Sequence, residues 1–174
     1  MMIIKFLKNR SNKIFMKKIL ESRKFNSSAI KIETVGIIFN FDEYKEYDQI
    51  KEIFKELGIH ENKIKFIAYM PESGTKLNRW DSYFESKDFG WSGVIKNLDF
   101  IEFIDTEFDI LISYYRRNNL ELNFATACSK AKFKIGISKS NENLNDFTID
   151  ISTNFTDIFA TELKKYLQGL NMIK

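Results

Sequence analysis

The stretch FDILISYYRRNNLELNFATACSKAKFKIGIS, residues 108–138, decides the fold of this chain. It opens with a short apolar run, Asp109–Ser113, of the kind found in strands that are buried on both faces. A predicted helix rich in small side chains follows, with Asn118 as its cap and Glu121 in the capping-box position. Lys132–Ser138 then alternates between polar and apolar residues, as a second strand does. A helix between two such strands is a βαβ unit, which implies parallel strands and a right-handed crossover.

Patterns on either side of this unit extend the prediction to a whole domain. Strands are predicted over residues 34–40, 63–69, 109–113, 132–138 and 147–151. Helices are predicted over residues 1–24, 43–57, 76–85, 98–103, 119–131 and 155–170, the last of them capped by Asn154. We therefore predict an α/β fold: a single three-layer domain with a mainly parallel sheet of about five strands, plus a basic N-terminal helix.

Composition excludes several other classes of protein. Hydrophobic residues make up 44% of the chain and aromatic residues 15%, which is ample for a packed core and argues against disorder. The single cysteine, Cys128, excludes an internal disulfide and is expected to be a small core residue. No apolar run approaches the roughly 20 residues of a membrane span, and Met1–Leu7 is a poor signal peptide. We therefore predict a cytoplasmic protein.

Charge is distributed unevenly along the chain. Residues 1–32 carry nine basic groups and one acidic group, whereas the chain as a whole has a net charge of only +3. The sequence thus predicts a basic helical arm over residues 1–28 and an α/β domain over residues 29–174. An arm of this kind favours a polyanionic partner: RNA or the ribosome first, an anionic membrane surface second. Lysine enrichment of the kind found in chains from AT-rich genomes explains the charge equally well. The predicted polyanion-binding residues are Lys5, Lys8, Arg10, Lys13, Lys17, Lys18, Arg23 and Lys24.

A second candidate site lies where the strands of a parallel sheet end, because ligands of such sheets bind beyond the carboxyl ends. Arginines beside exposed backbone N–H groups suit a phosphate or carboxylate, and neighbouring tyrosines could stack on a base or sugar. The loop over residues 86–97, with two glycines around an aromatic residue, is a further place for function or for a protein partner. The alternative to a ligand site at this edge is that the tyrosines pack at the end of the strand and the arginines form a solvated turn. The residues concerned are Lys87, Asp88, Trp91, Ser113, Tyr114, Tyr115, Arg116, Arg117 and Asn118.

Motifs for catalysis, cofactors and metals are missing from the sequence. There is no GxGxxG, P-loop, CxxC, HExxH or GxSxG pattern, and we predict neither a cofactor nor a metal site. His60 is the only histidine and has no cysteine near it, which makes a metal site there improbable. The sequence singles out no catalytic residue.

Several short motifs resemble an uncharacterised family of small α/β proteins from bacteria of the Bacteroidota group. They are KDFGW at 87–91, FDILISYY at 108–115, LEL at 120–122, SKAKFKIG at 129–136 and NDFTI at 145–149. The resemblance implies the fold and family but no activity. The pattern FDxxI with AKxxIG is also similar to one half of heptosyltransferase-type glycosyltransferases, which bind a nucleotide sugar between two such domains.

These observations lead to three functional hypotheses, of which the third is an amphipathic arm that lies on an anionic membrane surface. The first is an accessory or binding protein that docks on RNA or the ribosome through the basic arm. The second is a nucleotide- or sugar-phosphate-binding enzyme that uses the strand edge at Ser113–Asn118.

Overall fold

A computed structural model describes residues 2–23, 31–44, 46–71 and 82–173. Within these ranges six strands form one sheet in the order β3-β2-β1-β4-β5-β6, and every neighbouring pair is parallel. The strands are β1 (Val35–Asn40), β2 (Ile64–Tyr69), β3 (Tyr83–Phe84), β4 (Ile110–Tyr114), β5 (Phe133–Gly136) and β6 (Phe147–Thr148). The helices are α1 (Met2–Ser22), α2 (Tyr47–Glu56), α3 (Leu98–Asp105), α4 (Leu120–Cys128) and α5 (Thr156–Gly169). The predicted α/β class with a parallel sheet is confirmed.

Helices cover both faces of the sheet, and the sheet separates two hydrophobic cores. Inward side chains of α2 and α5, such as Phe54 and Leu163, pack on the face that carries Ile37 and Ile112. On the opposite face, α3 and α4 pack against side chains such as Leu111. Because every residue of β1 and β4 is buried, both strands are apolar almost throughout, as strands covered on two sides must be.

Two local features fix the start of the central strands. Asp109 accepts bonds from the backbone N–H groups of Glu33 and Thr34 and from the Lys132 ammonium, at 2.9, 2.9 and 2.7 Å. Burial alone would raise the pKa of this carboxyl group, but these bonds hold it below its usual value. Gly36 is needed for packing, since a Cβ there would lie 2.6 Å from the Phe108 ring.

The structure corrects several details of the prediction. Tyr83–Phe84 is a strand rather than the end of a helix, because the carbonyl oxygens of Ser82 and Phe84 accept the N–H groups of Ala68 in β2 and of Met70 just after it. Residues 76–81 lie outside the described residues. Asn119, not Asn118, caps α4, because its side chain accepts the Leu122 N–H. No side chain caps α5, so the predicted Asn154 cap is wrong.

Candidate functional site

The strand order reverses between β1 and β4, which is where open parallel sheets bind ligands. The chain leaves β1 at Asn40 and β4 at Tyr114, so the loops that follow these two residues face each other at the carboxyl edge. Strand order 3-2-1-4-5-6 is the order of dinucleotide-binding sheets. The loop after β1, however, carries a carboxylate where such proteins carry glycines.

Glu43 fills the crevice between these strand ends. Its carboxylate accepts the backbone N–H groups of Arg116 at 2.8 Å and Arg117 at 3.1 Å. The Asn40 side-chain amide donates to the same carboxylate at 2.9 Å. The N–H groups on which an external phosphate would depend are therefore bonded to an anion of the protein itself. Glu43 is not among the site residues predicted from the sequence at this edge.

The other predicted residues of this edge point in different directions. Ser113, Tyr114 and Tyr115 are buried, and the Tyr114 hydroxyl donates to the Thr153 carbonyl oxygen at 2.9 Å. Burial raises the pKa of both Tyr114 and Tyr115 above the ordinary value. The Arg116 guanidinium turns toward β6, where it pairs with Asp150 at 3.0 Å.

Three polar side chains, from β2, from the loop after β3 and from α4, meet at the same edge. The Tyr69 hydroxyl lies 2.9 Å from the Ser86 hydroxyl, which donates to the Glu121 carboxylate at 2.9 Å. The cavity beside Ser86 and Glu121 has a volume of only about 10 Å³. This chain of bonds therefore holds the loop after β3 against the start of α4. A larger cavity of about 480 Å³ lies beside β2, but the lysines that line it are paired with glutamates.

The remaining predicted loop residues do not join the arginines. Lys87 forms a surface pair with Glu85, and Asp88 accepts the Glu85 backbone N–H at 2.8 Å. Asn118 accepts a bond from the Asn123 side chain. Trp91 projects into solvent, 48% exposed. The structure thus divides the predicted edge site into a filled crevice, a folded loop and one exposed tryptophan.

Helix α1 is joined to the domain along one side. Asn12 is 3% exposed, donates to the Gly90 carbonyl oxygen at 3.1 Å and accepts the Gly93 N–H at 3.1 Å. The Phe15 ring stacks on Phe124 of α4 with centroids 5.9 Å apart. A Cβ at Gly93 would overlap the Phe15 ring, so glycine is required there for close approach.

An ion pair secures the end of the same helix. The Arg23 guanidinium bonds both carboxylate oxygens of Asp146, at 2.9 and 2.6 Å. Both side chains are largely buried, 21% and 10% exposed, so this bidentate pair is shielded from solvent. The helix is thus held near its middle by Asn12 and Phe15 and at its end by Arg23.

The opposite side of α1 exposes aliphatic side chains to water. Ile3, Leu7 and Ile14 share one face by helical spacing and are 75%, 45% and 52% exposed. The first turns add Met2, Ile4 and Phe6, all of them more than half exposed. Phe15, in contrast, turns toward the domain, where its ring stacks on Phe124. We call the exposed stripe of Ile3, Leu7 and Ile14, together with the basic residues beside it, the outer face of α1.

Five of the predicted polyanion-binding residues are exposed on this helix: Lys5, Arg10, Lys13, Lys17 and Lys18. Two others are used internally, because Lys8 donates to the Phe89 carbonyl oxygen at 3.1 Å and Arg23 pairs with Asp146. Lys24 lies outside the described residues. Exposed cations and exposed aliphatic groups therefore lie together on one helix.

Within the described ranges, no group of three His, Cys, Asp or Glu side chains is placed to hold a metal ion. Burial raises the pKa of the Cys128 thiol to about 12, which makes it a poor nucleophile. A helix long and apolar enough to cross a bilayer is likewise missing from the part of the chain that the structure describes.

Comparison with known proteins identifies the family but no relative of known activity. Residues 8–170 match the model of a family described as "Family of unknown function (DUF6913)". No curated protein matches the chain, and no solved structure does. The match confirms the predicted membership of an uncharacterised family, whereas the bacterial group stays a prediction. Since the match covers nearly the whole chain, this protein belongs to the DUF6913 family of unknown function.

Proposed function

We propose that this protein is a binding protein that attaches to an anionic membrane surface through the outer face of α1. One observation carries the proposal: α1 is fixed to the domain along one side, yet Ile3, Leu7 and Ile14 on the other side remain exposed. Contiguous exposed apolar groups on a folded protein mark an interaction site. An apolar stripe flanked by lysine and arginine is typical of helices that lie in the interface of an anionic bilayer.

The aliphatic groups favour a bilayer over RNA as the partner. Proteins bind single-stranded RNA through cations on the phosphates and through aromatic or arginine side chains stacked on the bases. Ile3, Leu7 and Ile14 would contribute little to such contacts, whereas each would bury its side chain in lipid. RNA or the ribosome remains the second candidate, since the exposed cations suit it equally well.

The enzyme hypothesis has narrower support. Strand order favours a nucleotide or sugar-phosphate ligand, but the crevice at the reversal point holds Glu43. A ligand anion would have to displace that carboxylate. We therefore rank this hypothesis below docking on a membrane or on RNA.

Co-sedimentation with lipid vesicles tests the proposal. The full-length protein should bind vesicles of equimolar phosphatidylglycerol and phosphatidylcholine, and should not bind pure phosphatidylcholine. A cation near an anionic surface contributes about 1 kcal/mol, so replacing both Lys13 and Lys18 by glutamine should weaken binding roughly thirtyfold. The double variant Lys164→Gln/Lys165→Gln removes the same charge from α5, on the other face of the sheet, and should bind like wild type.

Substitutions in the aliphatic stripe distinguish binding to lipid from binding to RNA. The double variant Ile3→Ser/Leu7→Ser should lose vesicle binding, because both apolar anchors are removed while every charge is kept. RNA binding, if it occurs, should be insensitive to that change and should weaken steeply with salt. A protein that ignores anionic vesicles but binds RNA or ribosomes would overturn the membrane proposal in favour of the second candidate.

A further inference from the structure

The loop after β3 ends in a small β-hairpin whose tip carries an exposed tryptophan. Phe89 and Ile95 form an antiparallel bridge, and the Gly90 N–H donates to the Val94 carbonyl oxygen at 2.7 Å. The Val94 N–H donates back to the Trp91 carbonyl oxygen at 3.0 Å, which closes a four-residue turn. Both central residues of that turn have left-handed φ angles, 51° at Ser92 and 84° at Gly93, as in a type I′ turn.

Side chains of α1 hold the backbone of this turn. Ser11 accepts the Ser92 N–H at 3.2 Å, and the two serine hydroxyls lie 2.9 Å apart. Asn12 accepts the Gly93 N–H and donates to the Gly90 carbonyl oxygen. The tip is therefore attached to the helix rather than free to move independently of it.

This attachment places the hairpin tip beside the outer face of α1. On a helix surface, a residue neighbours those three and four positions away, so Ser11 lies between Leu7 and Ile14. The turn that bonds to Ser11 is thus adjacent to the exposed aliphatic stripe. Trp91 and Val94, which flank the turn, are 48% and 57% exposed.

We infer that Trp91 is a second membrane-contacting element, which enters the interfacial layer of an anionic bilayer beside the outer face of α1. The inference rests on the proposed function and adds the hairpin to its docking surface. Tryptophan is enriched at membrane–water interfaces because its ring is largely apolar while its indole N–H can bond to headgroups or water. The N–H groups of Ser92 and Gly93 are already bonded to α1, which lowers the cost of bringing this turn to the lipid surface.

Tryptophan fluorescence of the full-length Trp80→Phe variant tests the inference, because Trp91 is then the only tryptophan left. On equimolar phosphatidylglycerol and phosphatidylcholine vesicles, its emission should shift to shorter wavelength. Lipids brominated near the headgroup should quench it more than lipids brominated near the chain ends. Trp91→Ser should also weaken vesicle binding about tenfold, the loss expected when one large apolar contact is removed.

The control is Leu170→Ser, which removes an exposed apolar residue from the other face of the sheet and should leave binding unchanged. Protein that sediments with the vesicles while Trp91 stays unquenched would overturn this inference and leave the proposed function standing. Protein that does not sediment with anionic vesicles would overturn both. Circular dichroism of each variant shows whether a loss of binding comes from misfolding.

Discussion

Lys134 places an ammonium group entirely inside the protein, on β5 beneath α4. Its Nζ donates to the carbonyl oxygens of Thr126 and Ala127, at 2.6 and 3.1 Å, in the last turn of that helix. Burial, assisted by the positive charge of Arg23, lowers its pKa to about 7, and Asp146 opposes that shift only in part. Lys134 therefore forms hydrogen bonds to α4 and has a pKa well below that of an exposed lysine.

The free energy of unfolding should rise with pH between about 7 and 10.5. In that range Lys134 holds a proton in the unfolded chain but has lost it in the folded protein, so raising the pH favours folding. The contribution between pH 7 and pH 9.5 should be at most roughly 3 kcal/mol. Urea denaturation at both pH values measures it, and Lys134→Met should remove it. Lys130→Met, which changes a lysine in an exposed pair with Asp105, should keep the dependence; a slope retained by Lys134→Met would contradict the assignment.

At the scale of the element, α1 is a helix with two apolar sides, and adjacent residues belong to different sides. Phe15 stacks on Phe124 and neighbours Gly93, whereas Ile14 is 52% exposed. The side that carries Phe15 packs against the domain. Within the described residues, nothing covers the side that carries Ile14. Two alanine substitutions within one turn of helix can therefore separate an effect on folding from an effect on the proposed membrane binding.

Phe15→Ala should destabilise the protein by about 1–3 kcal/mol, because a half-buried ring is removed from the joint between α1 and α4. Ile14→Ala should change stability by less than about 0.5 kcal/mol but should weaken vesicle binding several-fold. Urea denaturation and vesicle co-sedimentation measure the two effects. Equal loss of stability in both variants would show that the outer face of α1 is also part of the folded core.

At the scale of the whole molecule, the sheet has the strand order of dinucleotide-binding proteins. The crevice at the point where the strand order reverses is occupied by Glu43 of the chain itself. We expect that nucleotides and sugar phosphates leave the melting temperature of the wild-type protein unchanged in a thermal-shift screen, because Glu43 occupies the backbone donors. Stabilisation by any of these compounds that Arg117→Ala removes would contradict this and revive the enzyme hypothesis. Arg117 suits the test because its bonds to Glu43 are made by the backbone N–H, which the substitution retains.

The sequence was sufficient to predict the central βαβ unit, the parallel sheet and the α/β class. These follow from local patterns: apolar runs mark β1 and β4, and small residues mark the helix between β4 and β5. Short elements were harder to predict. Strand β3 has only two residues, too few for a period to show, and its existence depends on bonds to β2. The cap of α4 was hard to predict as well, because Asn118 and Asn119 are adjacent and of the same type. Only the position of the helix shows that Asn119 accepts the Leu122 N–H.

The sequence by itself determined which charges lie in the N-terminal segment and which residues follow each strand. Only the tertiary structure decided what those residues do, because their partners lie far along the chain. Glu43 meets the N–H groups of Arg116 and Arg117 more than seventy residues away, and Asn12 meets Gly90 and Gly93 at a similar separation. Helical periodicity specifies which residues share a side of α1, but not which side the domain covers. That choice depends on the shape of α4 and the hairpin against which the helix packs, and it leaves Ile3, Leu7 and Ile14 facing outward.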